Sequence, residues 1–406
     1  MNVYTENSKA IWFLLLITYA AFYIGGHIEN GWIFAYSSVI VLFVVCLFMK
    51  RFKVCIKYAP FHIYLLLFCV FCYLSGFWAE NPAFAHTKCV DMISVLIITT
   101  ILAWCYQYTD SIEPLLKLIM WLGYVLTIYT FVFFGVGNVL VMVTTGLRIS
   151  NDAINANTLG EMCAYAILIN LYFIIKNKRI PIYSFLSIIS LIMLAASSSR
   201  KAIIILVGGI LGYLIIKNHA DRDYLKKLVR IALLIILAVV MLYAISHMTI
   251  FSNVFTRFQT MISLFTGSGT VDYSTSARTR LIRIGMELFK SHPILGIGMD
   301  NAKIYGGIAF GIQDYYMHNN YVELLADGGI VGFALYYSMY LYFIIALIKY
   351  KDLEDVEYIF CFVLLIVNLV MDYGMVSYDS KIRFIFSIMT FIKISKLKQA
   401  RYEVNV

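Results

Sequence analysis

Charge is what this chain has least of. Only 14% of its 406 residues are Asp, Glu, Lys or Arg, against 62% hydrophobic. Apolar runs of roughly 18–20 residues recur, the length a helix needs to cross a hydrocarbon core of about 30 Å. Stretches such as 90–104 and 231–245 keep no polar face, which excludes the core of a soluble protein. Their apolarity is continuous rather than alternating, which excludes a β-barrel and leaves helices that satisfy their own backbone. Cysteine is scarce where it would matter: Cys46, Cys69, Cys72, Cys105, Cys163 and Cys361 lie inside apolar runs, Cys55 and Cys89 at their edges. A disulfide framework is therefore excluded, and Cys69-x-x-Cys72 reads as buried packing rather than a redox or metal pair. The chain has no Walker-type glycine loop, no inverted internal repeat and no low-complexity tail, so coupling to a nucleotide has no support. Nothing in it points to nucleic acid. Met1 to Lys9 is a short polar leader running into the first span, and no cleavable signal is expected.

What is present is an all-α polytopic membrane protein with about twelve spans, near 10–26, 31–49, 60–78, 89–107, 115–137, 157–175, 182–197, 201–216, 229–247, 328–348, 356–372 and 382–395. Three segments follow: nine spans over 1–246, a long polar loop over 247–318, and the last spans with a basic tail over 319–406. Lys and Arg collect beside alternate span ends, at 50–57, 176–179, 217–230 and 393–401. Positive residues accumulate in the cytoplasm, so these ends and both termini are expected there, and the long loop outside.

The basic residues expected outside differ in kind. Arg148, Arg200, Arg257, Arg278, Arg280, Arg283 and Arg383 make up seven of twelve, whereas only five of the twenty inside are Arg. Arginine offers a planar fork that binds phosphate or carboxylate bidentately and keeps its proton, so an anionic ligand is expected on the outer face. Single arginines at such a boundary also meet lipid headgroups or nearby acids.

Three places carry the chemistry. Ser199-Arg200-Lys201 sits between two apolar runs with almost no loop, where an arginine needs a partner or a wet cavity. From Ser276 to Lys290, Leu281, Ile284, Leu288 and Phe289 oppose Arg280, Arg283, Glu287 and Lys290, the pattern of a helix along the membrane surface. It should stop at His292-Pro293, because the residue before proline leaves the helical region. The third is His318-Asn319-Asn320-Tyr321-Val322-Glu323, at the mouth of a span. His318 alone there changes protonation near neutrality, with an ordinary pKa of about 6.5, and is placed to act as a general base. Glu323 or Asp327 are carboxylates available to orient it, although a helical spacing of five or nine puts neither squarely on its face.

Read in order, Arg148 to Asn157-Thr158-Leu159-Gly160, Ser199-Arg200, Arg278 with Pro293 and Gly296-Ile297-Gly298, and His318-Asn319-x-x-x-Glu323 with Gly329-x-x-Gly332 resemble the O-antigen ligase and O-antigen polymerase superfamily. The resemblance rests on order and spacing over about 140–345. Lys201 stands where that family often has a small residue, and Ile282 where it often has an aromatic one. The resemblance implies a GT-C-like fold with short helices in the outer loop, and a bacterial inner-membrane enzyme acting on a polyprenyl (undecaprenyl) diphosphate-linked oligosaccharide. It implies that Arg200 and Arg278 hold the diphosphate and that His318 activates the acceptor hydroxyl. Arg280, Asn319, Glu323, Asn157, Arg148 and Tyr321 are the expected substrate contacts. With no Asp-x-Asp in the loop, neither a metal nor any other cofactor is expected. Polymerisation of O-antigen, capsule or exopolysaccharide is preferred, with a chain-length regulator as a candidate partner. Ligation to lipid A core is the alternative, and a lipid-linked oligosaccharide flippase or transporter the rival from another class.

Overall fold

The computed structural model describes residues 6–25, 28–49, 60–109, 111–145, 147–149, 155–218 and 273–404. The expected span at 229–247, the loop from 247 to 272 and Arg257 lie outside them. Every regular element among the described residues is helical. In chain order they are α1 (Glu6–Gly25), α2 (Gly31–Met49), α3 (Pro60–Ser75), α4 (Pro82–Tyr106), α5 (Glu113–Phe134), α6 (Val136–Thr145), α7 (Ala156–Ile175), α8 (Ile180–Ser197), α9 (Arg200–Asn218), α10 (Tyr273–Ser291), α11 (Ala302–Phe310), α12 (Asn320–Lys349), α13 (Val356–Asp372) and α14 (Lys381–Val404). Seven of these, α2, α4, α5, α7, α8, α9 and α12, are long and apolar enough to cross a membrane. The expected span at 60–78 ends earlier, at Ser75, whose hydroxyl bonds back to the Cys72 carbonyl. α6 is an additional short helix in what reads from the sequence as loop.

The chain forms two compact units, interleaved in sequence. The first comprises 1–49, 111–270 and 352–367, the second 50–110, 271–351 and 368–406. In the first unit α7 is the central element: Leu159, Cys163, Ala166, Ile169 and Phe173 are all buried, and α5, α8 and α9 pack around it. Gly123 sets the α5 approach, since a Cβ there would lie 2.8 Å from the Met162 carbonyl oxygen. At one end of this unit Lys178 pairs with Glu113, and Ser111 and Tyr172 both donate to Glu357. Those are span ends that the basic-residue pattern assigns to one face.

The second unit is organised by a break in α12. Gly329 has φ 58° and ψ −161°, a conformation open essentially to glycine alone. In an unbroken helix the N–H groups of Ile330 and Val331 would donate to the carbonyls of Ala326 and Asp327. Here Ile330 N donates to the Pro293 carbonyl (2.9 Å) and Val331 N to that of Ile294 (3.2 Å). The vacated carbonyls accept from Ile297 N (3.0 Å) and Gly298 N (2.9 Å). The segment 293–298 thus stands in for two missing helical bonds, and the four backbone groups they would have used are all paired.

Around the break the neighbouring loops close up. Met299 N donates to the Ser75 hydroxyl (3.0 Å), and the Asn301 side chain accepts from Asn81 N (2.7 Å) and donates to the Asn81 carbonyl (3.2 Å). Asp327 accepts from the backbone of Asp300 (2.9 Å) and of Ala302 (2.7 Å), tying the start of α11 to α12.

Gly329→Ala should cost about 3 kcal/mol or more, because its Cβ would fall 2.4 Å from the Ile294 carbonyl carbon and oxygen in a backbone conformation alanine disfavours. Gly328→Ala meets only the Phe71 ring (3.2 Å) and the Met299 sulfur (3.3 Å) and should cost about 1 kcal/mol. Thermal unfolding of both variants in detergent measures the difference, and equal midpoints would refute the role given to Gly329.

Candidate functional site

His318 sits in the turn that enters α12, in the left-handed region with φ 55°. A non-glycine residue there is strained, and such strain survives only where surrounding contacts impose it. Those contacts are visible. Asn319 caps α12, its side-chain oxygen accepting from Val322 N (3.1 Å). The buried Glu323 carboxylate accepts from the backbone N–H of Met317 (2.6 Å), the residue before His318. Glu323 therefore holds the main chain immediately before His318. Asn320 is wholly buried and ties the start of α12 to the turn before α14, donating to Tyr337 on its own helix (2.8 Å) and accepting from the backbone of Ser377 (2.8 Å) and Tyr378 (2.9 Å).

The imidazole of His318 lies between two tyrosines, its centroid 4.0 Å from that of Tyr316 and 5.2 Å from that of Tyr315. Partial burial pushes the Tyr316 hydroxyl up from its ordinary value, and the neighbouring Arg278 guanidinium opposes that. Arg278 and His318, forty residues apart in sequence, thus share Tyr316 as a neighbour. α10 reaches this position by packing its apolar face on protein. Leu281, Ile297, Ala302, Met317, Val322 and Ala326 form one buried cluster, and Gly285 lets α10 close on Val322 and Met317. The helix ends at Ser291, before His292-Pro293 as expected. Arg283 is exposed, and Arg280, also exposed, lies over the Phe310 ring at 5.1 Å. Tyr321 donates to the Leu369 carbonyl (2.7 Å) and stacks on Tyr337.

The other expected residues lie in the first unit and meet there. Arg148 donates to the Ser197 carbonyl (3.2 Å) and to the Asn157 side-chain oxygen (3.1 Å), and Ser199 donates to the same oxygen (3.4 Å). Ser198, at φ 50°, turns the chain sharply from α8 into α9, whose first residue is Arg200. Arg200 thus stands at the positive end of a helix dipole. Gly160 makes room for the turn, since a Cβ there would be 2.4 Å from the Ser197 hydroxyl. The Asn157-Thr158-Leu159-Gly160 stretch and Ser199-Arg200 are one local structure.

Two features were not read from the sequence. Lys88 lies among Asp379 (2.6 Å), Asp300 (3.6 Å) and Asp91 (4.0 Å), while Lys303 pairs with Asp300 (2.8 Å) and Lys381 with Asp91 (3.5 Å). Burial alone would raise the Asp379 carboxyl, but Lys88 and then Lys381 overcome it and hold it below the usual carboxylate range. The signal was present: these lysines stand where positive charge is expected to be sparse. Arg383, counted among the outer arginines, is buried, donating to the Asn368 carbonyl (2.7 Å) and lying 3.5 Å from Asp372. It is a structural residue and leaves the anion-binding set. Among the described residues no group of three His, Cys, Asp or Glu is placed to hold a metal ion.

An all-helical polytopic membrane protein with arginines and a strained histidine at loop-side helix ends is the class defined here. Residues 185–337, a stretch that begins in α8 and ends in α12, match a family described as O-antigen ligase, and that part of the chain is similar to it. No curated protein matches the chain.

Glu323→Ala removes the acceptor of a buried N–H and should destabilise the protein by about 1–3 kcal/mol. Glu323→Gln keeps a carbonyl oxygen and should recover most of that. Amide hydrogen exchange at Met317 reads the effect directly; unchanged protection in Glu323→Ala would disprove the anchoring role.

Proposed function

We propose that this protein is a glycosyltransferase of the bacterial inner membrane, with cytoplasmic termini, that polymerises a surface polysaccharide from polyprenyl diphosphate-linked repeat units. The observation that carries the reading is that Arg278 and His318 both neighbour Tyr316 within the stretch matched to an O-antigen ligase family. The acceptor sugar hydroxyl attacks the anomeric carbon of the donor. The bond from that carbon to the diphosphate oxygen breaks, and its electrons leave with the diphosphate. The hydroxyl proton passes to the His318 imidazole, and a single displacement inverts the anomeric centre. Arg278, and Arg200 by resemblance, neutralise the charge growing on the leaving diphosphate. The diphosphate arrives activated, so the reaction asks for charge stabilisation and a base, and the proposal uses no metal. Arg280, Arg148 and Asn157 are drawn as glycan or phosphate contacts. Asn319, Glu323 and Tyr321 act as positioning residues through the bonds described above.

Ligation to a lipid A core acceptor remains the second reading, favoured by the description of the matched domain. A transporter would keep an open polar break at membrane depth. α12 is broken, but its backbone groups there are taken by 293–298.

The deciding experiment supplies purified protein with polyprenyl diphosphate-linked repeat units and resolves products by gel, with EDTA in parallel. A ladder that persists in EDTA is expected. His318→Ala should slow it by about 100-fold or more, and Arg278→Ala and Arg200→Ala should abolish it within the same limits. Single-step transfer to lipid A core without a ladder would convert the assignment to ligase. Full activity in His318→Ala would remove the general-base mechanism.

A further inference from the structure

The first unit contains a groove of about 830 Å³ that none of the residues proposed for transfer lines. α5 and α8 both pack on α7 and leave this space between them. Its two ends differ in chemistry. At one end stand Lys117, Lys178 and Arg179; at the other the lining is Ile128, Phe131 and Ile189. The cationic end is built rather than incidental. Asn177 (φ 54°) and Arg179 (φ 45°) both take left-handed conformations in the α7–α8 turn, which Lys178 N closes by donating to the Phe173 carbonyl (2.9 Å). The turn thereby brings two cations to the groove mouth. Lys117 reaches the same mouth from α5, lying over the Phe173 ring at 5.5 Å. One carboxylate, Glu113, pairs with Lys178, so the mouth keeps a positive balance.

We infer that this groove holds an anionic membrane phospholipid, its phosphate at Lys117, Lys178 and Arg179 and one acyl chain along α5 and α8. Charge complementarity sets the head. Basic pockets between spans, on the side where lysine collects, suit phosphate headgroups. Length sets the tail: fourteen residues separate Lys117 from Phe131, about 21 Å at helical rise, against roughly 15 Å for half a hydrocarbon core. The groove therefore runs from headgroup level past the end of one leaflet. Its wall is mostly apolar and aromatic over that length; of the hydroxyls that line it, at Tyr124, Thr127, Tyr183 and Ser190, that of Tyr124 is committed to Asn170 (2.6 Å) and that of Thr127 pairs with the Cys163 sulfur (3.7 Å). A free anion would leave the apolar length unfilled, and a neutral lipid would leave the cations unmatched.

The test is native mass spectrometry of the detergent-purified chain with phosphatidylglycerol or phosphatidylcholine of identical acyl chains. Phosphatidylglycerol adducts should survive collision energies that strip phosphatidylcholine. Lys117→Gln combined with Arg179→Gln leaves the Lys178–Glu113 pair in place and should weaken phosphatidylglycerol retention roughly thirtyfold. Ile189→Trp, which fills the apolar end, should abolish retention with the cations intact. Equal retention of the two lipids by the parent, or unchanged phosphatidylglycerol retention in either variant, would overturn the inference. So would displacement of phosphatidylglycerol by equimolar polyprenyl phosphate, which would assign the groove to an isoprenoid lipid.

Discussion

Two hydrogen bonds missing from α12 govern the second unit. A membrane-embedded helix cannot leave four backbone groups without partners, because each costs several kcal/mol in hydrocarbon. The residues that fill the gap, 293–298, are held to it by four bonds. That fixes everything attached on either side. Upstream lies α10, which carries Arg278, and downstream lie Met299 to Ala302, fastened to Ser75, Asn81 and Asp327. The glycines at 296, 298 and 329 follow from the same requirement. Each has positive φ, and a Cβ on each would strike backbone or Ala79 at 2.4 Å.

A second constraint is electrostatic. Lys88, Lys303 and Lys381 are matched to Asp379, Asp300 and Asp91 rather than left to headgroups. Partly buried ion pairs contribute little net stability relative to apolar packing, yet losing one partner is costly. Such a network is therefore better understood as fixing which loops meet than as adding stability. With these lysines paired and Arg383 internal, the other described arginines of the set expected outside are Arg278, Arg280 and Arg283 on α10 and Arg148 and Arg200 in the first unit. Arg148 is already bonded to Asn157 and Ser197.

Hydropathy made most of the helices legible, because bilayer length and missing polar faces leave few alternatives; the ends of α2 and α7 fall within a residue of the expectation. The stop of α10 was legible from His292-Pro293 for a reason of backbone sterics. The break in α12 was not. Gly328-Gly329 inside an apolar run reads as helix with a weak point, and nothing local says that a segment thirty residues earlier supplies the missing partners. The link from Glu323 to His318 was hidden for a similar reason. Spacing rules describe side chains facing one another along a helix, whereas this carboxylate bonds a main-chain N–H before the helix begins. Buried Asn320, with three partners from two distant segments, carries no sequence signature at all.

The strain at His318 gives these pieces a common purpose. A left-handed conformation at a residue with a Cβ costs about 1–2 kcal/mol, and the fold offsets it with the Asn319 cap, the Glu323 anchor and the buried Asn320. An extended or helical residue 318 would send the ring in a different direction from the anchored Met317. The turn instead commits the imidazole to the space beside Tyr315 and Tyr316, where α10 has already delivered Arg278. In the proposed transfer, His318 as base and Arg278 as cation would gain from being held before the substrate arrives, since little of the binding energy is then consumed in ordering them. The packing of Gly285 against Met317 and Val322 ties α10, which carries Arg278, to the turn that carries His318.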